Sequence, residues 1–183
     1  MGFSLSNIRR EEIKRIVVSS FEEYNVTCVP INGFEIATKM GIKVIPYSAY
    51  NEATQKLLHK KSEDGFSVEL VDGTWFIFYN DAMGYGRINH TIMHELAHII
   101  LDHTEESDLA EAEARFFAKY ALAPPPLIHK YRLQNPSQIA EVFEISMQAA
   151  TYAYEYYQKW HKHSRNNYTE YERRLLHLFE NAG

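Results

Sequence analysis

Apolar residues recur every three or four positions through most of this chain, the spacing of helices with one buried side. The strongest stripe predicts a helix within residues 87–103; its members are Ile88, Ile92, Leu96, Ile99 and Ile100. Similar stripes, bounded by capping residues, glycines and prolines, predict further helices. These span 6–24, 31–40, 50–60, 109–122, 137–144, 147–162 and 168–180, with Ser6 and Ser146 as N-caps.

Runs of aromatic and β-branched residues predict strands between the helices. The clearest pair forms a hairpin; its strands are 66–70 and 74–79, joined by Asp72-Gly73 in a type I′ turn. Residues 42–47 are also strand-like. We therefore expect an α+β fold: a mostly helical single domain over residues 1–183, with a small antiparallel sheet packed on the 87–103 helix.

Charge and composition narrow the classes of partner. The 183 residues hold 19 basic and 24 acidic side chains, a net charge of −5, so the overall charge does not favour nucleic acid or an anionic membrane. No apolar run reaches the length of a membrane span, and residues 1–12 lack the apolar segment of a secretory signal. Cys28 is the single cysteine, which excludes an intrachain disulfide and fits a reducing compartment. We therefore expect a cytoplasmic protein without a membrane partner.

The 87–103 helix carries the candidate chemistry. Residues 94–98 read His-Glu-Leu-Ala-His, an HExxH pattern, and positions four apart on a helix share one face. His94 and His98 can therefore bind one metal ion, while Glu95 can reach a water in an open coordination position and act as a general base. This is the arrangement of zinc-assisted hydrolysis. The alternative is a helix whose two histidines are solvated or satisfied within the core.

A third ligand is expected on the helix predicted over 109–122. Glu113 belongs to a buried stripe at i, i+3, i+4 and i+7, whose other members are Phe116, Phe117 and Tyr120. A carboxylate on a buried side is costly unless it is paired or binds a metal. Glu111 lies about 200° away around the helix and can pair with Arg115 at i+4, which makes it a surface residue. Glu113 is therefore the predicted third ligand, with a salt-bridged core glutamate as the alternative.

Four segments around these residues follow one family pattern. They are Arg87 and residues 91–98, 113–118 and 121–124. On these segments the chain resembles the ImmA/IrrE-type zinc metallopeptidases. The likeness covers about residues 20–160 and leaves 161–183 as a C-terminal helical extension. The resemblance implies a zincin-like fold with a Zn²⁺ cofactor.

The resemblance also implies a function: an intracellular zinc endopeptidase that cleaves a helix-turn-helix transcriptional repressor and so derepresses mobile-element or stress genes. Two alternatives remain. One is a general zinc peptidase, and the other is a non-enzymatic regulatory or DNA-binding module that uses the helices at 137–162. Acidic residues in that pair, such as Glu141 and Glu155, weaken the DNA-binding interpretation, so direct nucleic-acid binding is not expected. A substrate peptide is expected to add as an extra strand beside 74–79.

Overall fold

A computed structural model describes residues 4–164 and 167–180 of the chain. Its helices are α1 (Asn7–Glu23), α2 (Gly33–Lys39), α3 (Glu52–Lys61), α4 (Tyr85–Ile100), α5 (Asp108–Leu122), α6 (Pro125–Lys130), α7 (Pro136–Phe143), α8 (Met147–Ser164) and α9 (Glu170–Leu178). Its strands are β1 (Lys43–Pro46), β2 (Gly65–Glu69) and β3 (Trp75–Tyr79). The predicted fold class, mostly helical α+β, is confirmed.

The HExxH helix α4 lies at the centre of the fold. It packs against α5, against α2 and against both β2 and β3, while α1 covers α5 and α9. Ile92 and Leu96, from the middle of the predicted stripe, are fully buried. Burying one such side chain contributes about 1.5–3 kcal/mol, so this stripe holds α4 firmly between the sheet and α5. The same packing places α4 beside α5, which are the two helices that carry the candidate residues.

The sheet has three strands in the order β1-β3-β2. β2 and β3 form the predicted antiparallel hairpin, with Ser67 opposite Ile77. β1 instead pairs parallel to β3, with Val44 opposite Ile77, so the sheet is mixed and the prediction of an antiparallel sheet is corrected. A parallel pair needs a long crossover, which here runs through α3 and β2. β3 has a partner on each side, and the prediction that a substrate strand adds beside it is therefore wrong.

The hairpin turn also differs from the prediction. A type I′ turn needs positive φ at both central residues. Gly73 has φ +80°, whereas Asp72 is not among the residues with positive φ. The Leu70 N–H donates to the Thr74 carbonyl at 2.9 Å, which closes a connection over 71–73. The turn therefore places only its glycine in the left-handed region, where a side chain would be strained.

A glycine allows β2 to approach α4 closely. A Cβ on Gly65 would lie 2.7 Å from the Phe78 carbonyl oxygen and 2.7 Å from Cγ2 of Thr91. Both distances are too short for a real contact, and one of the two neighbours is backbone of the central strand. The first residue of β2 therefore has to be glycine for the strand to lie against the HExxH helix.

A buried asparagine ties α2 to α4. Asn89 has no exposed surface, and its side-chain amide donates to the Ile31 carbonyl at 2.9 Å. Its amide oxygen accepts from the Gly33 N–H at 2.7 Å, at the start of α2. Buried polar groups cost stability unless they are paired. Asn89 therefore supplies the hydrogen-bond partners of the Gly33 N–H and the Ile31 carbonyl at the start of α2.

The prolines after α5 have two roles. They follow the end of α5 at Leu122, as predicted, but they also begin a short helix, α6, that was not predicted. Proline is tolerated in the first turn of a helix because the N–H it lacks would have no partner there. A run of prolines therefore indicates the start of a helix as readily as a stop.

Among the described helices, none is long and apolar enough to cross a membrane.

Candidate metal centre

Two histidines and a glutamate converge where α4 faces α5. The Nε2 atoms of His94 and His98 lie 3.2 Å apart. The Glu111 carboxylate oxygens lie 3.5 Å from Nε2 of His94 and 3.2 Å from Nε2 of His98. In the part of the chain that the structure describes, these three side chains form a group whose ligand atoms all lie within 4.8 Å of one another. Two imidazoles and a carboxylate around one point fit a transition-metal ion.

The structure corrects the predicted third member of this group from Glu113 to Glu111. Glu113 is buried, as its helical spacing predicts, but its carboxylate oxygens accept hydrogen bonds from Nε and Nη2 of Arg9, each at 2.7 Å. The Glu111 side chain is 45% exposed and faces the two histidines. Arg115 donates to the backbone carbonyl of Glu111 at 3.1 Å, so the predicted pairing with its carboxylate is replaced by a backbone contact. The alternative of a salt-bridged core glutamate is the one that fits Glu113.

A line of polar contacts leads from His98 to this core glutamate. Nδ1 of His98 lies 3.0 Å from Nδ1 of His103, and Nε2 of His103 lies 3.0 Å from Oε2 of Glu113. The side chains of His103 and Glu113 are only 10% and 6% exposed. The Arg9 guanidinium holds the pKa of the Glu113 carboxyl below its usual range. Glu113 therefore contacts the group through His103 and not directly.

Both histidines of the group are neutral near pH 7. Burial lowers the pKa of His94 to about 4, with the neighbouring His98 adding to the effect. Burial also lowers the pKa of His98, although the Glu111 carboxylate opposes the shift. A neutral imidazole has one ring nitrogen with a free lone pair, which is the form that binds metal ions. The site therefore offers two neutral nitrogens and one carboxylate.

Glu95 lies beside this group with its side chain turned toward β2. It is 8% exposed, and the Ser67 hydroxyl donates to its Oε2 at 2.8 Å. Burial raises the pKa of the Glu95 carboxyl, and the hydrogen bond from Ser67 opposes the rise. A carboxylate whose pKa is raised toward neutrality accepts and returns protons more effectively near pH 7.

The group opens into a cleft of about 340 Å³. Its lining includes Gly65 at the start of β2, together with His94, Glu95 and Glu111. A larger cavity of about 690 Å³ lies next to it between α4, α5 and α8, and His90 lines both. β2 is an edge strand of the sheet, and its first residue lines the smaller cleft.

The sequence matches a family model, Peptidase_M78, described as the IrrE N-terminal-like domain, over residues 37–155. The chain belongs to this family. The M78 match contains all of α4 and α5, and with them both histidines, Glu95 and Glu111. It confirms the predicted family and supports a metallopeptidase-type role for a protein with this centre. No curated protein matches the chain significantly.

Sequence reasoning missed Glu111 as a member of the M78 centre, and it missed the contacts of Arg9, His103 and Ser67. No local pattern separates Glu111 from Glu113, because both lie on the helix predicted over 109–122 and only its rotation toward α4 decides which one faces the histidines. Arg9 lies 104 positions before Glu113, and no local pattern links the two. Ser67 lies on β2, and the sequence does not show which helix packs against that strand.

Proposed function

We propose that this M78 protein is an intracellular zinc-dependent endopeptidase. His94, His98 and Glu111 are its proposed metal ligands, and Glu95 is its proposed general base. The observation that carries the proposal is the convergence of three ligand atoms within 4.8 Å of one another. The buried carboxylate of Glu95 lies next to them, on the helix that carries both histidines. Membership in a peptidase family supports peptide hydrolysis as the reaction.

The donor set fits zinc by the chemistry of its atoms. Zinc favours nitrogen and carboxylate oxygen ligands, and hydrolytic zinc sites use three protein ligands with one position left open. His94 and Glu111 border a cleft of about 340 Å³, which has room for a water and the reacting part of a substrate. A zinc ion held there would lower the pKa of a water from about 15.7 toward about 7 and polarise the scissile carbonyl.

Glu95 would take the proton from the attacking water and then deliver it to the leaving amide nitrogen. Burial raises the pKa of its carboxyl, which favours both transfers near neutral pH. The Ser67 hydroxyl holds Oε2 of this carboxylate, so Oε1 is the oxygen that would face the water. Ser67 would therefore orient the base without taking part in the proton transfer.

The substrate chain would lie along β2. This edge strand borders the cleft, and an extended peptide can pair with the free backbone groups of such a strand. Following the resemblance, we propose that the substrate is a helix-turn-helix repressor in the cytoplasm, whose cleavage derepresses mobile-element or stress genes. A short linker of the repressor in extended form would suit an edge strand better than its folded helices.

Co-expression with a co-encoded helix-turn-helix repressor tests this function. Mass spectrometry should show one discrete pair of repressor fragments with the parent protein. Glu95→Gln should leave the repressor intact while the variant still binds zinc, because the amide cannot accept a proton at neutral pH and Glu95 is not a ligand. Glu141→Gln, an exposed position on α7, is the matched control and should cleave like the parent.

The outcomes separate the competing functions. Cleavage that persists in Glu95→Gln would refute the role of the base. Digestion of many unrelated proteins would favour a general zinc peptidase. Absence of zinc and of cleavage, with DNA bound through the packed pair α7 and α8, would favour the non-enzymatic module.

A further inference from the structure

The relay formed by Arg9, Glu113, His103 and His98 ends at Nδ1 of His98, while the other ring nitrogen, Nε2, faces His94 and Glu111. We infer that Glu113 and His103 are positioning residues, which keep the Nε2 atom of His98 free of a proton and aimed at the metal. This inference deepens the proposed function and rests on His98 being a ligand.

The direction of the hydrogen bonds along the relay is set at the Arg9 end. Both Glu113 oxygens accept hydrogen bonds from the Arg9 guanidinium at 2.7 Å, and a carboxylate paired in this way accepts hydrogen bonds and donates none. The contact at 3.0 Å between Nε2 of His103 and Oε2 of Glu113 therefore requires the proton to be on Nε2 of His103. In its neutral form the His103 imidazole carries one N–H, so Nδ1 is then left as an acceptor.

The acceptor on His103 in turn determines which nitrogen of His98 carries the proton. In the described part of the chain, the hydrogen-bond neighbour of Nδ1 of His103 is Nδ1 of His98 at 3.0 Å, which must then carry the proton. A neutral His98 with a proton on Nδ1 has its lone pair on Nε2. That is the atom 3.2 Å from Nε2 of His94 and 3.2 Å from Glu111, at the metal position. The hydrogen bond that one ring nitrogen makes decides which tautomer is present.

The backbone at the end of α4 places His103 for this contact. The His103 N–H donates to the His98 carbonyl at 3.0 Å, and the Asp102 N–H donates to the Ile99 carbonyl at 3.2 Å. Asp102 has φ +55°, so the helix ends in a Schellman motif with a left-handed residue before His103. The motif folds the chain back and brings the His103 ring beside that of His98.

The competing arrangement is set by Glu111. Without His103, Nε2 of His98 still has two neighbours that can accept, Nε2 of His94 and the Glu111 carboxylate, each at 3.2 Å, and both favour a proton on the atom that must bind metal. The relay therefore opposes a tautomer that blocks the site. Substitution of such supporting groups typically weakens metal affinity about 10–100-fold.

The test measures tautomers in metal-free protein and zinc affinity in the same variants. Long-range ¹⁵N–¹H correlation spectra at pH 8, with chelator, show which nitrogen of His98 carries the proton. We expect mainly Nδ1–H in the parent and a shift to Nε2–H in His103→Phe. His103→Asn should restore much of the Nδ1–H form, because its amide oxygen can accept where Nδ1 stood. If position 103 only fills space, His103→Phe should instead retain more of the Nδ1–H form of His98 than His103→Asn does.

Two further variants complete the design. Glu113→Gln should shift His98 toward Nε2–H, because an amide can donate to His103 as well as accept. Glu12→Gln removes the other carboxylate that Arg9 contacts, at 3.0 Å, and is the matched control that should leave His98 unchanged. Zinc titrations against a competing chelator should show about 10–100-fold weaker binding in His103→Phe and Glu113→Gln.

The outcomes distinguish this inference from the proposed function. If His98 has the same tautomer in the parent, in His103→Phe and in Glu113→Gln, the relay does not position it, even if zinc binds. If the tautomer shifts as expected but the parent binds no zinc, the relay stands and the proposed function fails. Circular dichroism identifies a variant that does not fold, and Glu113→Gln then decides the inference in place of His103→Phe.

Discussion

Replacing Glu113 by alanine separates the structural glutamate of α5 from the proposed ligand on the same helix. In metal-free protein the change removes a 6%-exposed carboxylate that accepts two hydrogen bonds from Arg9 and contacts His103. It leaves the guanidinium without its main partner and His103 without its acceptor. We therefore expect a loss of stability that does not depend on zinc.

The size of the loss follows from burial. Removing one partner of a buried ion pair costs about 3–5 kcal/mol. Arg9 is 33% exposed, so water can reach part of its guanidinium and reduce the penalty to about 2–3 kcal/mol. Glu111→Ala is the matched control. Its side chain is 45% exposed and lies beside neutral histidines, so the metal-free protein should lose at most about 0.5 kcal/mol.

Urea unfolding of chelator-treated protein measures both variants. With a slope of about 2–3 kcal/mol/M, the midpoint of Glu113→Ala should fall by about 1 M. The pH dependence has a definite sign. The folded pKa of Glu113 lies below the unfolded value of about 4.3, so its contribution is present above that value and is lost as the pH falls through the folded pKa. The difference in unfolding free energy between the parent and Glu113→Ala should therefore disappear in acid.

A loss of unfolding free energy below about 0.5 kcal/mol in Glu113→Ala at pH 7 would refute the role of Glu113 as the buried partner of Arg9. A loss in Glu111→Ala as large as that in Glu113→Ala would refute the assignment of roles on α5. If the difference in unfolding free energy between the parent and Glu113→Ala stays constant below pH 4, the ionised carboxylate is not the stabilising group.

The remaining predictions concern the base and the packing around α4. Glu95→Gln should lower cleavage about 10²–10⁴-fold with zinc content unchanged, as measured by single-turnover assays and elemental analysis. Gly65→Ala should cost about 1–3 kcal/mol in urea unfolding, because the new Cβ would meet Thr91 and the central strand at 2.7 Å. Asn89→Ala should lower stability by about 2–4 kcal/mol, because it leaves the Gly33 N–H and a carbonyl buried without partners.

Local patterns were sufficient to predict much of the fold. The stripe on α4, the hairpin strands and the Ser6 cap depend on neighbours in the chain, and each is present, with Ser6 accepting from the Arg9 N–H at 3.2 Å. Ser146 likewise accepts from the Ala149 N–H at 3.2 Å. The parallel pairing of β1 with β3 was not predictable, because it depends on a crossover and not on the composition of either strand.

In the candidate site, too, the features set by neighbours in the chain were predictable and those set by tertiary packing were not. The HExxH histidines could be paired from their spacing alone, because four positions make one turn. The burial of Glu113 was also predicted, but burial does not reveal which partner satisfies a carboxylate. That partner, Arg9, comes from α1 and meets α5 only through tertiary packing. The third member of the group therefore depends on how α5 is rotated toward α4, which no pattern within α5 records.

Anomalous diffraction at the zinc edge, on crystals of protein purified without chelator, tests the central claim most directly. We predict one peak per chain at about 2.0–2.2 Å from Nε2 of His94, Nε2 of His98 and a carboxylate oxygen of Glu111. Glu113 should remain paired with Arg9 in the same map. A metal bound by Glu113 in place of Glu111, or crystals with no zinc at these histidines, would contradict the account.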